Sequence, residues 1–183
     1  MFSRRRVFQN PRRLVALSAI AGIGLASLLA SAFAQEKQHV SYNSLPENTK
    51  YTQQNIIDVG DVPGHQMRIY EIHRTYPADP PMINGLKLVE QWSRGASDYI
   101  DNNGTNTSYG VYVMENGDKF FTHSSLVAQS PAPGKLNTWT TGTVTGATGK
   151  LAGMRGLVRS TGSAEPKAGV NETKTEIDYW FEK

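Results

Sequence analysis

Residues 143–156 read T-V-T-G-A-T-G-K-L-A-G-M-R-G, and this glycine spacing constrains the fold more than any other stretch of the chain. Gly146, Gly149, Gly153 and Gly156 punctuate short β-prone pieces. Glycine inside a strand pattern marks a bulge, a sheet corner or the close approach of another backbone. Because glycine reaches positive φ without steric cost, the run predicts tight turns in an all-β domain. It is not a phosphate cradle, since no G-x-G-x-x-G or G-x-x-x-x-G-K-[ST] follows a strand and opens a helix.

The rest of the chain follows the same grammar. Residues 67–76, M-R-I-Y-E-I-H-R-T-Y, are rich in β-branched and aromatic side chains and predict a strand that ends at Pro77. Pro77, Pro80 and Pro81 make residues 77–85 a loop. Residues 86–94 predict a second strand, with Leu86, Leu88, Glu90 and Trp92 on one face by the period-two rule and Lys87, Val89, Gln91 and Ser93 on the other. Residues 98–108, through Asp101-Asn102-Asn103-Gly104, read as a polar loop or hairpin tip. Asn116-Gly117, between strands at 109–115 and 118–124, predicts a type I′ hairpin with both central residues at positive φ. Residues 130–134 form another Pro/Gly loop, and further strands are expected at 136–145, 154–161 and 173–181. No stretch has the period of a long helix. Seven or eight short strands with Gly/Pro turns predict an antiparallel sandwich or a closed barrel.

Residues 1–34 have the order of an export signal: Arg4, Arg5, Arg6, Arg12 and Arg13, then an apolar run at 14–30, then Ala32-Phe33-Ala34. Cleavage there makes Gln35 the first mature residue and places the protein outside the cytoplasm, periplasmic or secreted. Arg5-Arg6-Val7-Phe8 also resembles a twin-arginine export signal. The leader holds five of the 19 Lys and Arg residues and none of the 16 Asp and Glu, so its loss leaves 14 basic against 16 acidic groups and a net charge of −2. The basic balance of the whole chain therefore belongs to the leader, and no cluster remains to follow a nucleic-acid backbone. Without the leader no membrane span is expected. Having no cysteine, the chain forms neither disulfides nor a thiolate zinc site. The 149 residues after the leader suffice for one core. Residues 35–62 are polar and read as an irregular arm with one strand at 55–59, and residues 63–183 as the barrel domain.

The run G-A-T-G-K-L-A-G-M-R-G at 146–156 resembles the G-x-T-G-[KR]-[FY]-x-G-[AI]-[RQ]-G signature of the allene oxide cyclase and dirigent-type β-barrels. It departs at Ala147, where glycine is common, and at Leu151, where an aromatic is. The resemblance implies a single closed antiparallel β-barrel of seven to eight strands, calycin-like in architecture, with an apolar interior. It carries no active-site residues with it.

Function is narrower ground. If the Leu86–Trp92 row faces inward, the Glu90 carboxylate is desolvated and suited to moving a proton; otherwise it pairs with Arg94 or a nearby lysine. Leu88, Trp92, Tyr112 and Phe121 are the candidate ligand contacts beside it, since aromatic rings in a barrel either fill the core or line a cavity. Three function classes stand open. The first is an exported barrel that binds a small apolar molecule. The second is a cofactor-free cyclase or isomerase, as the resemblance implies, with Glu90, Tyr112 or His123 managing the proton. The third is a structural or interaction protein of the cell envelope. No metal spacing and no cofactor motif occurs, and a homo-oligomer is left open. Asn103, Asn106 and Asn171 match glycosylation acceptors and read as exposed polar loops.

Overall fold

The computed structural model describes residues 36–182, and the expected leader with its cleavage site lies outside them. The strands are β1 (Gln38–Ser44), β2 (Thr49–Asp58), β3 (His65–Thr75), β4 (Met82–Ile83), β5 (Leu86–Ile100), β6 (Asn103–Met114), β7 (Lys119–Gln129), β8 (Leu136–Ala147), β9 (Met154–Glu165) and β10 (Val170–Phe181). They form one antiparallel sheet in the order β1-β10-β9-β8-β7-β6-β5-β3-β2, with β4 paired only to β5. The helical pieces among the described residues are short 3-10 turns, and no helix is long and apolar enough to cross a membrane.

The sheet curls, but its ladder stays open. This corrects the closed barrel of seven or eight strands: β1 and β2 are the two edges and do not pair with each other. They are consecutive in the chain, joined at a 3-10 turn, Pro46–Asn48. β1 pairs with β10 from Tyr179 to Thr173, and β2 with β3 from Arg74 to Gln66. The chain thus leaves one edge and joins the other, and side chains bridge the seam. Ser44 Oγ meets Tyr76 Oη at 3.0 Å, Arg74 Nη2 donates to Asn171 Oδ1 at 3.0 Å, and Asn171 Nδ2 donates to the Tyr51 hydroxyl at 2.9 Å. Residues 35–62, expected as an arm, supply both edge strands. Most of β2 faces solvent, so it lacks the alternation that reveals a half-buried strand.

Two hairpins exchange their expected geometry. Residues 98–108, expected as a polar loop or hairpin tip, form a hairpin: they are strand almost throughout, and the tip is a two-residue turn in which Asp101 (φ 49°) and Asn102 (φ 65°) both take positive φ, as a type I′ turn requires. At Asn116-Gly117 only Gly117 does so (φ 86°). Gly117 N–H donates to Met114 O at 2.9 Å and Met114 N–H to Asp118 O at 2.8 Å, which makes a three-residue loop with a left-handed glycine.

Inside, the sheet is dry at one end. Ile83, Leu88, Met114, Phe120, Leu151, Met154 and Ile177 are fully buried there, each contributing about 1.5–3 kcal/mol through its burial. Tyr112 stacks on Phe120 with ring centroids 4.2 Å apart. The glycine run shapes this end. After β8, Thr148 and the 3-10 turn Gly149–Leu151 drop Leu151 into the core, while Lys150 N–H donates to Asp118 Oδ2 at 2.9 Å. That bond, with a second from Asn116, holds the Asp118 carboxyl below its usual range. Gly149 takes φ 57°, and a Cβ there would sit 1.8 Å from Asp118 Oδ1. A smaller cluster of Tyr99, Ala128, Leu136 and Ala164 narrows the opposite end.

Candidate functional site

Between the two apolar clusters the inward rows change character. On β5 the apolar residues Leu86 and Leu88 give way to Gln91, Ser93 and Ser97; on β7 Phe120 gives way to Thr122 and Ser124; on β10 Ile177 gives way to Thr175 and Thr173. Small hydroxylated residues at this level leave a cavity of about 120 Å³. A side chain at Gly142 on β8 would not fit beside this level: its Cβ would lie 2.1 Å from Ser124 Oγ and 2.6 Å from the His123 carbonyl oxygen.

Two arginines face this space from β3. Arg74 is 6% exposed, and its Nη1 donates to Ser93 Oγ at 3.1 Å and its Nη2 to Asn171 Oδ1. Its Nε is buried with no acceptor in the described protein, as is the Nε of Arg68. Arg68, Tyr99 and Pro166 also line a surface depression of about 700 Å³, so the cavity meets solvent at that end.

The walls carry phenols that stay neutral. Burial raises the pKa of Tyr70 and Tyr99 and pushes that of Tyr112 up to about 12; Tyr76, bonded to the lining residue Gln91, is raised likewise. Tyr76 donates to Gln91 Oε1 at 2.8 Å, Gln91 Nε2 donates to Tyr112 Oη at 3.3 Å, and Asn106 Nδ2 donates to Tyr70 Oη at 2.9 Å. At neutral pH these hydroxyls keep their protons and are hydrogen-bonding groups rather than bases.

Of the candidate catalytic and ligand-contact residues read from the sequence, only Tyr112 lines the cavity. Leu88 is buried in the apolar cluster beyond it. Glu90 and Trp92, expected inside, stand on the outer face. The reason is a bulge between Leu88 and Glu90, where the pairing with β6 skips Val89 and reverses the phase of the strand. Outside, Trp92 Nε1 donates to Glu90 Oε2 at 3.1 Å, the His73 ring stacks on Trp92 at 3.9 Å, and the Glu90 side chain is 43% exposed. Phe121 and His123 share a face as expected, but it is the outer one, where exposed His123 stacks on Tyr109 at 4.7 Å. Phe120, one residue earlier, fills the core. Asn106 and Asn171, read as exposed loop residues, are buried strand residues.

The two arginines of the site were not among the candidates read from the sequence. Arg68, Tyr70, Ile72, Arg74 and Tyr76 form one period-two row of residues 67–76, in which two cations alternate with aromatic and aliphatic side chains. That row was the available signal, because its neighbours Met67 and Ile69 are exposed. Compared with protein-family models, with curated proteins and with solved structures, the chain matches none of them.

Proposed function

We infer that this is an exported binding protein that holds a small molecule inside its curled sheet. The interior cavity carries the reading: it is lined by tyrosine rings, hydroxyls and two guanidiniums, some of whose buried polar atoms have no partner within the described protein. A native interior satisfies such atoms, and a bound molecule does so as well as a neighbouring side chain. The mixed lining suits a ligand with an apolar body and polar groups better than a bare hydrocarbon. Binding is preferred over isomerisation because Glu90 and His123 are absent from the cavity wall, while Tyr112 keeps its proton. Export rests on the order of basic residues, apolar run and A-x-A in residues 1–34. The likeness of residues 146–156 to the allene oxide cyclase and dirigent-type signature supports an architecture built around an interior site. Native mass spectrometry of protein isolated from its own source tests the reading. A small molecule released only on denaturation is the expected result. Protein that carries none, and takes up none from a panel of small molecules, would overturn it.

A further inference from the structure

Arg74 and Arg68 differ from the arginines on the outer face. There, Arg94 pairs with Glu71 at 2.7 Å, Arg155 with Glu182 at 2.8 Å, and Arg159 with Asp178. An ion pair in water contributes little, yet these arginines have partners. Inside, where burial makes a countercharge matter most, Arg74 meets only the neutral acceptors Ser93 and Asn171. All 16 Asp and Glu lie within residues 36–182, and none is in ion-pair range of Arg74 or Arg68. Glu172, the one carboxylate in the cavity lining, accepts a hydrogen bond from Ser163 at 2.8 Å.

The donors point the same way. A guanidinium has five N–H groups, of which Arg74 uses two, and its buried Nε–H has no acceptor. Arg74 sits opposite Gln91 in the β3–β5 register, at the floor of the polar level, while Arg68 stands at the solvent end. A third orphan donor, Ser97 Oγ, belongs to the same lining as Arg74 Nε and Arg68 Nε.

We propose that the cavity takes a small organic acid, its carboxylate seated on Arg74 and its body against the tyrosine and hydroxyl wall, with Arg68 at the entrance. The proposal rests on the reading of the domain as an interior-binding protein and adds the chemical class of its ligand. Two carboxylate oxygens match the guanidinium fork, and low local polarity strengthens the pairing. The volume of about 120 Å³ limits the body to a short chain or a single ring, since a cavity of about 150 Å³ accepts one benzene molecule. Ser97 is available to a second polar group on the ligand.

The test titrates the leader-free protein with acetate and with benzoate, each against its amide, and with inorganic phosphate, by calorimetry. A carboxylate that binds about a hundredfold or more tightly than its amide, and that loses this advantage in Arg74→Met, is the expected result. Circular dichroism checks that the variant is folded; the acid-against-amide comparison needs no variant. Arg68→Gln should weaken binding several-fold. Equal binding of acid and amide, or unchanged benzoate binding by folded Arg74→Met, overturns the proposal and leaves interior binding standing. Binding of phosphate but of neither carboxylate also overturns it. If acids, amides and phosphate all fail to bind, and protein from its own source carries no small molecule, interior binding itself falls.

Discussion

Replacing Arg74 with methionine should make the ligand-free protein more stable. Arg74 is 6% exposed and has no countercharge, so its folded state bears a desolvation penalty of several kcal/mol. Its hydrogen bonds to Ser93 and Asn171 offset part of this, at about 1.5–3 kcal/mol each. Methionine removes the charge, keeps a long flexible side chain against Ile72 and Tyr76, and leaves Ser93 and Asn171 to cavity water. We expect a net gain of about 1–3 kcal/mol, or about 2–10 °C in Tm for a domain of this size. Urea and thermal unfolding in a buffer free of organic anions read it out. A loss of more than about 1 kcal/mol would refute the reasoning, because the Arg74 hydrogen bonds to Ser93 and Asn171 would then outweigh the desolvation of its charge.

Gly149→Val should cost at least about 2 kcal/mol, through strain at φ 57° and collision with Asp118; Lys150→Ala should unfold like the wild type, since only its backbone N–H holds Asp118. Wild-type unfolding of the valine variant would contradict that account. Phe120→Ala should cost about 3–5 kcal/mol, because the ring is fully buried and stacked on Tyr112; a smaller loss in urea unfolding would mean that this end collapses to fill the gap. Glu90→Gln should leave ligand uptake unchanged, and a binding defect would show that the outer face is part of the site. His65 lies 2.7 Å from both Asp98 and Asp61, whose hydrogen bonds raise its pKa, while Val62 N–H and His65 lower that of Asp61. The histidine's contribution is full below about pH 6.5 and fades as pH rises through its raised folded pKa, whereas the aspartate's is full above about pH 3.9 and fades as pH falls through its lowered folded pKa; a stability-against-pH profile should therefore lose this contribution on both sides of that window, and His65→Gln should flatten it.

Strands were legible where one face is buried and apolar. Residues 67–76 and 173–181 alternate cleanly and became β3 and β10. The edge strands were not legible, because a strand such as β2 that faces water on both sides leaves no period in its sequence. The Val89 bulge was equally silent: one unpaired residue reverses the phase of β5, so the same alternation that placed Leu86 and Leu88 correctly misplaced Glu90 and Trp92. Turn chemistry also ran ahead of the sequence. Asn-Gly is the stronger type I′ signal, yet Asp101-Asn102 took that geometry, and Gly117 absorbed an extra loop residue instead. The site escaped notice for a related reason, since arginines inside a strand pattern read as surface until their row is shown to face inward.

A closed ladder behaves like a hoop, and widening its bore means stretching backbone hydrogen bonds at every level. In this protein the circumference is a spring clip. Where the chain steps from β1 to β2 the two edges are held by Ser44 with Tyr76 and by Asn171 with Arg74 and Tyr51, and these side-chain bonds can exchange with water while every strand pairing stays intact. Widening the bore at this seam therefore breaks side-chain bonds and leaves the backbone ladders whole, and one of those bonds is made by the guanidinium at the floor of the cavity.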